Sequence, residues 1–153
     1  MPSEVVVDED ISGEPAGLEA VADRVLAMCG LEASQWCIRL TGDVQMRQLN
    51  ATWRGKSSTT DELSFPQDGP VAGGLLGDVV ISLDTAQRQA DELAHDLKTE
   101  LCVLMVHGLC HLMGHDHHVP SDTERMQREE RRLLSGLAVP ESCSLVARST
   151  VVR

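Results

Sequence analysis

The chain has 153 residues, 42% of them hydrophobic and 24% charged, which suits one domain that can bury a core without disulfides or a structural metal. Its net charge of -11 excludes binding to nucleic acid by broad electrostatic attraction, so any RNA contact must be local. Only 2% of the residues are aromatic and tyrosine is absent, so base-stacking platforms should be scarce.

Cysteine usage and hydropathy predict the cellular compartment of the protein. The five cysteines are odd in number and show no CxxC spacing, which favours reduced thiols. We see no signal sequence, and no apolar run approaches the roughly 20 residues of a membrane span. We therefore expect a cytoplasmic protein with no membrane partner, and a single domain over residues 1–153 that ends in a tail from Glu141.

The first part of the chain alternates strand and helix patterns. EVVVD at residues 4–8 predicts a strand, and GLEAVADRVLAMCGL at 17–31 predicts a helix that ends at Gly30. WCIRLTGD at 36–43 alternates as a second strand does. Asp43 is then expected to cap a helix over VQMRQLNATWRG.

The middle of the chain contains a long polar segment. Residues 56–74 are rich in Ser, Thr, Gly and Pro, which indicates a functional loop. Its one strand-like piece, ELSFP, ends at Pro66 and should be an edge strand. LLGDVVISL at 75–83 predicts a central strand, and DTAQRQADELAH at 84–95 predicts a polar surface helix.

The last part of the chain is helical. Residues 96–113 are apolar almost all round, which is typical of a buried helix, and Gly114 should end it. A charged helix is expected from Ser121, with Glu124 completing a capping box, to about Leu134. Together these elements predict an α+β fold in which a small mixed four-stranded sheet packs against several helices.

Five of the six histidines lie within the twelve residues HGLCHLMGHDHH, 107–118, and the sixth, His95, is expected at the surface. His107 and His111 are four residues apart, so they share one face of a helix. Two imidazoles on a largely buried helix would be poorly solvated and would repel each other if both were protonated. The pair therefore predicts a divalent metal, and zinc prefers such donors, keeping three protein ligands and one open position in catalytic sites.

A third donor must come from beyond the helix. Gly114 lets the chain reverse and brings residues 115–118 back toward the pair. His117, six residues after His111, is favoured, whereas His115 lies too near the turn. Two alternatives stay open, Asp116 and His118, although His118 is more typical of a surface residue.

The residues near the histidine pair limit the reactions and ligands that the site is expected to use. Gly108 stands where HExxH zinc proteases carry their general-base glutamate, which disfavours a protease that uses that residue. Glu100, two turns before His107, either orients an imidazole or is solvated or capping. Cys110 adjoins His111 but points about 100° away from it, so it should be a packing residue.

At this point the sequence resembles a known family. HGLCHLMGHDH is similar to the HGxLHLxGYDH motif of the YbeY family, metal-dependent single-strand endoribonucleases of bacteria that act in ribosomal RNA maturation and ribosome quality control. LNATWRGKSSTTDELSFP at 49–66 resembles the family's LNxxYRxKxxPTDVLSFP, and GDVVIS at 77–82 resembles its GDIxIS. The similarity spans about residues 40–135.

The resemblance implies a site and partners. It implies one Zn²⁺ held in a cleft by His107, His111 and His117, and a functional arginine at Arg54, which would hold phosphate oxygens through its planar fork of donors. Lys56 would extend this basic spot. It also implies single-stranded ribosomal RNA as substrate, with ribosomal small-subunit proteins and an assembly GTPase as partners.

Three positions depart from the family pattern: His115 replaces Tyr, Cys110 replaces Leu, and Glu62 replaces an apolar residue. Glu62 adds negative charge where an RNA backbone would run. Two other functions are weighed against the ribonuclease. A zinc peptidase or amidase would use the edge strand to bind an extended peptide, and a non-catalytic ribosome-assembly factor would use zinc only to stabilise its fold.

Overall fold

The computed structural model describes residues 3–71, 73–115 and 119–145. The strands are β1 (Ser3–Val7), β2 (Gln35–Thr41), β3 (Glu62–Pro66) and β4 (Leu75–Ser82), and they form one sheet in the order β1-β2-β4-β3. β1, β2 and β4 are parallel, whereas β3 pairs antiparallel to β4 and forms one edge. The prediction of a mixed four-stranded sheet is confirmed, as are the central position of β4 and the edge position of β3.

In the part of the chain that the structure describes, five α-helices connect and cover these strands: α1 (Leu18–Met28), α2 (Asp43–Arg54), α3 (Leu83–Leu93), α4 (Leu97–Leu112) and α5 (Pro120–Gly136). The expected tail begins with a 3₁₀ turn at Glu141–Cys143, and Leu145 packs against the core. Within the three described ranges, no helix is both long enough and apolar enough to cross a membrane.

The two faces of the sheet differ because side chains alternate along each strand. Ile38 of β2 and Val79 of β4 face the main core, where α1, α4 and α5 supply most of the remaining apolar side chains. Val80 points to the opposite face and packs with Met46 of α2 and Leu63 of β3 in a smaller cluster. One face of the sheet is therefore deeply buried, and the other is covered mainly where α2 crosses β3 and β4.

Two predicted helix caps were wrong. Gly42, not Asp43, occupies the N-cap of α2 and makes no side-chain cap, while Asp43 is the first helical residue. In α5 the N-cap is Val119 and the helix begins at Pro120, so Ser121 lies inside the first turn. Proline is favoured at that first position because its missing N–H would have no partner there.

Asp43 stabilises the fold in a different way. Its carboxylate accepts hydrogen bonds from Ser82 Oγ (2.7 Å) and Thr85 Oγ1 (2.6 Å), and it pairs with Arg88 at 2.8 Å. Burial opposes ionisation of Asp43, but the hydrogen bonds from Thr85, Ser82 and Arg88 outweigh burial and lower the pKa of this carboxyl. Asp43 thus joins the start of α2 to the junction of β4 and α3.

We expect Asp43→Asn to lower the free energy of unfolding at pH 7 by about 1 to 3 kcal/mol, because the charge-assisted hydrogen bonds are weakened. Since the folded-state pKa is depressed, this stabilisation is present above the ordinary pKa of 3.8 and is lost as the pH falls below it. Urea unfolding at pH 7 and pH 3 measures the difference, with the exposed Asp10→Asn as control. An equal effect at both pH values would contradict the assignment.

Candidate metal centre and active-site cleft

The histidine pair lies near the end of α4, the most buried helix of the protein. The turn that ends α4 is built by Gly114, whose φ of +95° is left-handed. Gly114 N–H donates to His111 O, and His115 N–H donates to Cys110 O, both at 3.0 Å, which is the Schellman pattern of helix termination. This reversal turns the carbonyl of His115 back onto the helix.

Each imidazole is oriented through its Nδ1 atom. Nδ1 of His107 lies 3.0 Å from Glu130 Oε1, and Nδ1 of His111 lies 3.1 Å from the carbonyl oxygen of His115. A carboxylate and a carbonyl both accept hydrogen bonds, so each Nδ1 carries the proton. In the neutral rings, the Nε2 atoms then carry the lone pairs.

The two Nε2 atoms face each other at 3.2 Å. Two lone pairs at this distance repel, so either a proton on one Nε2 or a cation bound by both atoms must relieve the repulsion. Zinc–nitrogen bonds of about 2.0 to 2.1 Å in tetrahedral array place two ligand nitrogens about 3.3 to 3.4 Å apart. The donor type, the orientation and the separation of this pair therefore fit a zinc ion.

Acidic residues make the surroundings of the pair favourable to positive charge. Burial opposes protonation of His107, but the carboxylates of Glu130, Glu62 and Asp61 outweigh burial and raise the pKa of this imidazole. Glu130 contributes most because it is hydrogen-bonded to the ring and is itself buried. The same carboxylates would attract a metal cation.

The third predicted ligand, His117, lies outside the described residues, as do its alternatives Asp116 and His118. Among residues 3–71, 73–115 and 119–145, no three His, Cys, Asp or Glu side chains converge closely enough to hold an ion. His115 contributes its backbone carbonyl to the orientation of His111.

Three predicted neighbours of the site can be compared with the structure. Cys110 is fully buried in the main core, as expected of a packing residue. Glu100 does bind an imidazole, but it is that of His95, at 2.7 Å. The prediction of a surface position for His95 was wrong, because only 11% of its side chain is exposed.

Gly108 marks the closest approach between α4 and the sheet. A Cβ at this position would lie 2.6 Å from Val79 Cγ1, which no real contact allows. Glu62 Oε1 would be 3.2 Å from the same Cβ, and Ser64 Oγ donates to Glu62 and lies 3.4 Å from Gly108 O. A glutamate at position 108 is thus excluded, and a carboxylate from β3 lies beside this position instead.

An open cleft of about 810 Å³ lies between α4, the edge strand β3 and the loop that follows α2. His107, His111 and Arg54 all line this cleft. Arg54 Nη2 donates to the carbonyl oxygen of Ser64 at 3.0 Å, so the guanidinium is anchored to the edge of β3. Among the residues that the structure describes, the other charged groups that line the cleft are Lys56, Asp61 and Glu62.

Glu130 is the residue of the site that the sequence did not single out. It lies on α5, 23 positions after His107, in a helix rich in charged residues. Helical periodicity could have identified Glu130, because it shares one face of α5 with apolar residues. The buried residues of this helix are Met126, Glu130, Leu133 and Leu134. A glutamate on an otherwise apolar face needs a buried partner.

Comparison with known proteins gives the family. The model of the endoribonuclease YbeY family matches residues 9–138. Three relatives carry the name endoribonuclease YbeY. The one from Anaeromyxobacter sp. (strain Fw109-5) is 47% identical over 117 residues, the one from Aquifex aeolicus is 45% identical over 124, and the one from Chloroflexus aggregans is 37% identical over 147.

The matched lengths differ between these relatives. The alignments cover 76%, 79% and 90% of this chain, and 61%, 82% and 96% of the Anaeromyxobacter, Aquifex and Chloroflexus proteins. The solution structure of TM1509 from Thermotoga maritima has the same fold, with a TM-score of 0.55 at 20% identity over 88% of this chain and 91% of that one. Because the family model spans most of the described fold, the chain belongs to the endoribonuclease YbeY family.

Proposed function

We propose that this protein is a zinc-dependent endoribonuclease, specific for single strands, that acts in ribosomal RNA maturation and ribosome quality control in the cytoplasm. The observation that carries the proposal is the pair of Nε2 atoms 3.2 Å apart in the cleft that Arg54 also lines. Membership of an endoribonuclease family supports RNA as the substrate.

His107, His111 and His117 would hold one Zn²⁺. When bound, the ion supplies Lewis acidity and positive charge beside the scissile phosphodiester. Glu130 and the His115 carbonyl hold the two rings of the described pair with their Nε2 atoms already directed at one point. Such partners of metal ligands fix the tautomer and raise the basicity of the imidazole.

Arg54 would bind the nonbridging oxygens of the phosphate. A guanidinium has five N–H donors, so the hydrogen bond to Ser64 O leaves donors for a phosphate. Because negative charge grows on these oxygens in the transition state, a cation already fixed beside them lowers the barrier. Lys56, which lines the same cleft, adds a second positive charge.

The charge of the protein also bears on its partners. The net charge is -11, and the carboxylates Asp61 and Glu62 line the cleft beside Arg54 and Lys56. Long-range attraction to RNA is therefore weak. We infer that ribosomal small-subunit proteins or an assembly GTPase bring the protein to ribosomal RNA.

Two other functions would be indicated by different results of the cleavage test described below. A zinc peptidase or amidase could bind an extended peptide along the edge strand β3, but Gly108 has no space for the glutamate that such enzymes use. A non-catalytic assembly factor would hold zinc with no vacant coordination position. Cleavage of RNA that requires metal distinguishes the proposed function from both.

Elemental analysis of the purified protein, paired with cleavage of single-stranded and duplex RNA with and without a chelator, tests the proposal directly. We expect one zinc per chain and cutting of single strands that the chelator abolishes. A 2′,3′-cyclic phosphate on the products would indicate attack by the ribose hydroxyl. Zinc-independent cutting, or hydrolysis of peptides alone, would refute the proposal.

His111→Ala should lose most of the zinc and most of the cleavage together, because one of the two facing donors is removed. Glu130→Gln should weaken zinc binding by about 10- to 100-fold, since the ring of His107 loses its charged partner. Metal content and competition with a chelating dye measure both effects. His115→Ala is the matched control, because the backbone carbonyl that orients His111 is retained; a metal-replete His111→Ala protein would disprove the metal role.

Arg54→Ala should lower kcat by about 100- to 1000-fold, which is the usual effect of removing one donor to a developing oxyanion. Arg54→Lys should recover only part of the loss, since an ammonium lacks the planar fork. Arg47→Ala, exposed on the same helix and outside the cleft, is the control. Equal activity of the Arg54→Ala and Arg47→Ala proteins would remove Arg54 from the mechanism.

Glu62 stands where the family resemblance implies an apolar residue, and it lines the cleft. Burial raises the pKa of Glu62 to about 7, although the hydrogen bond from Ser64 and the positive charges of His107 and Arg54 act in the opposite direction. A carboxyl group with a raised pKa disfavours the folded state when it ionises. Its unfavourable contribution therefore grows as the pH rises from about 4.5 to about 7.

In protein stripped of metal, Glu62→Gln should match the parent in stability near pH 4 and exceed it above pH 7. The gain should reach up to about 3 kcal/mol, at about 1.36 kcal/mol for each unit of pKa shift. Urea unfolding across this pH range measures the gain. The exposed Glu124→Gln serves as control, and a gain that does not depend on pH would contradict the burial of an ionising group at position 62.

A further inference from the structure

An aromatic pair lies on the face of the sheet opposite the main core. The ring centroids of Trp53 and Phe65 are 6.0 Å apart, with an angle of 74° between the ring planes. Trp53 is 65% exposed, whereas the second tryptophan, Trp36, is 1% exposed and donates to Ser3 Oγ. Trp36 therefore packs in the main core, whereas the indole of Trp53 is largely open to solvent.

Phe65 gives this pair a rigid base. It packs with Leu49 against the small cluster of Met46, Leu63 and Val80 between α2 and the sheet. Trp53, at the end of α2, stands edge-on to Phe65 and forms one wall of a groove of about 540 Å³. An exposed indole in this place leaves a large aromatic surface open to a planar ligand.

The groove and the active-site cleft adjoin each other at one residue. Pro66 lines both of them. Trp53 in the groove directly precedes Arg54 in the cleft, and Phe65 in the groove directly follows Ser64, whose carbonyl oxygen holds the Arg54 guanidinium at 3.0 Å. On α2 the aromatic residue is thus the chain neighbour of Arg54, and on β3 it is the chain neighbour of the residue that anchors Arg54.

Resting on the proposed ribonuclease function, we propose that Trp53 and Phe65 form a base-stacking subsite for the nucleotide next to the phosphate that Arg54 binds. Interfaces with single strands combine a local cationic track with aromatic side chains on which bases stack. Arg54 and Lys56 supply the track. Stacking supplies affinity that a chain with a net charge of -11 does not gain from electrostatic attraction.

The subsite also favours unpaired substrates. A base inside a duplex is already stacked on its neighbours, so it cannot lie against Trp53 without being extruded. A base in a single strand can do so freely. Base stacking tolerates any sequence, because every base has a π-face. The subsite therefore selects for strandedness and not for base identity.

Steady-state cleavage of a short single-stranded RNA by Trp53→Ala, Trp53→Phe and the parent tests the subsite. Losing one stacked base should raise KM by about 5- to 150-fold for Trp53→Ala, with kcat little changed. Trp53→Phe keeps an aromatic face and should restore most of the affinity. Val44→Ala is the control, because Val44 is 71% exposed on the same helix and lines neither cavity.

A substrate with an abasic site next to the cleaved bond makes the test specific. In the parent, the missing base should raise KM by the same factor as Trp53→Ala, and in Trp53→Ala it should have no further effect. The proposal would be overturned if the two changes raised KM independently of each other, or if KM were unchanged for Trp53→Ala. Either result would favour a protein partner as the ligand of the groove. If Trp53→Phe is as impaired as Trp53→Ala, stacking is likewise refuted.

The subsite can be tested even if the parent cuts no RNA. Because Trp36 is buried, most quenching by an added oligoribonucleotide must come from Trp53. Quenching in the parent that disappears in Trp53→Phe would support the subsite while the proposed cleavage fails. No quenching in the parent would refute the subsite.

Discussion

The site depends on how closely α4 packs against β3 and β4. At Gly108 the helix approaches the sheet so tightly that even a methyl group would overlap Val79. This contact places His107 and His111, one position before and three after it, at the border of the edge strand. Any side chain at position 108 would push the helix outward and open the distance between the histidines and the cleft wall.

Near this contact, polar groups from two other parts of the chain orient the two imidazoles. Glu130 reaches His107 from α5, and the glycine turn after α4 brings a backbone carbonyl to His111. Buried carboxylates are unfavourable unless they are paired, so Glu130 and the His107 ring stabilise each other. The result is a pair of nitrogen donors that are already directed at one point, in surroundings that favour a cation.

The cleft places the cations Arg54 and Lys56 beside the carboxylates Asp61 and Glu62 in an acidic protein. Arg54 gains its position from two elements, the end of α2 and the carbonyl of Ser64 on β3. The edge strand β3 therefore forms part of the cleft directly, because the carbonyl oxygen of Ser64 accepts a hydrogen bond from the guanidinium. The aromatic pair lies on the opposite face of the sheet, in a groove that adjoins the cleft at Pro66.

The sequence by itself determined the α+β class, the identity of the strands and helices, and the pairing of His107 with His111, because these depend on periodicity and on spacing along one helix. It missed the caps of α2 and α5, since the predicted caps Asp43 and Ser121 both lie inside the first turn of their helices. Strand order, the partner of His107 and the packing of Trp53 against Phe65 were decided only by the tertiary structure. Each of these joins residues far apart in the chain or on opposite faces of the sheet, and a local pattern contains no information about such contacts.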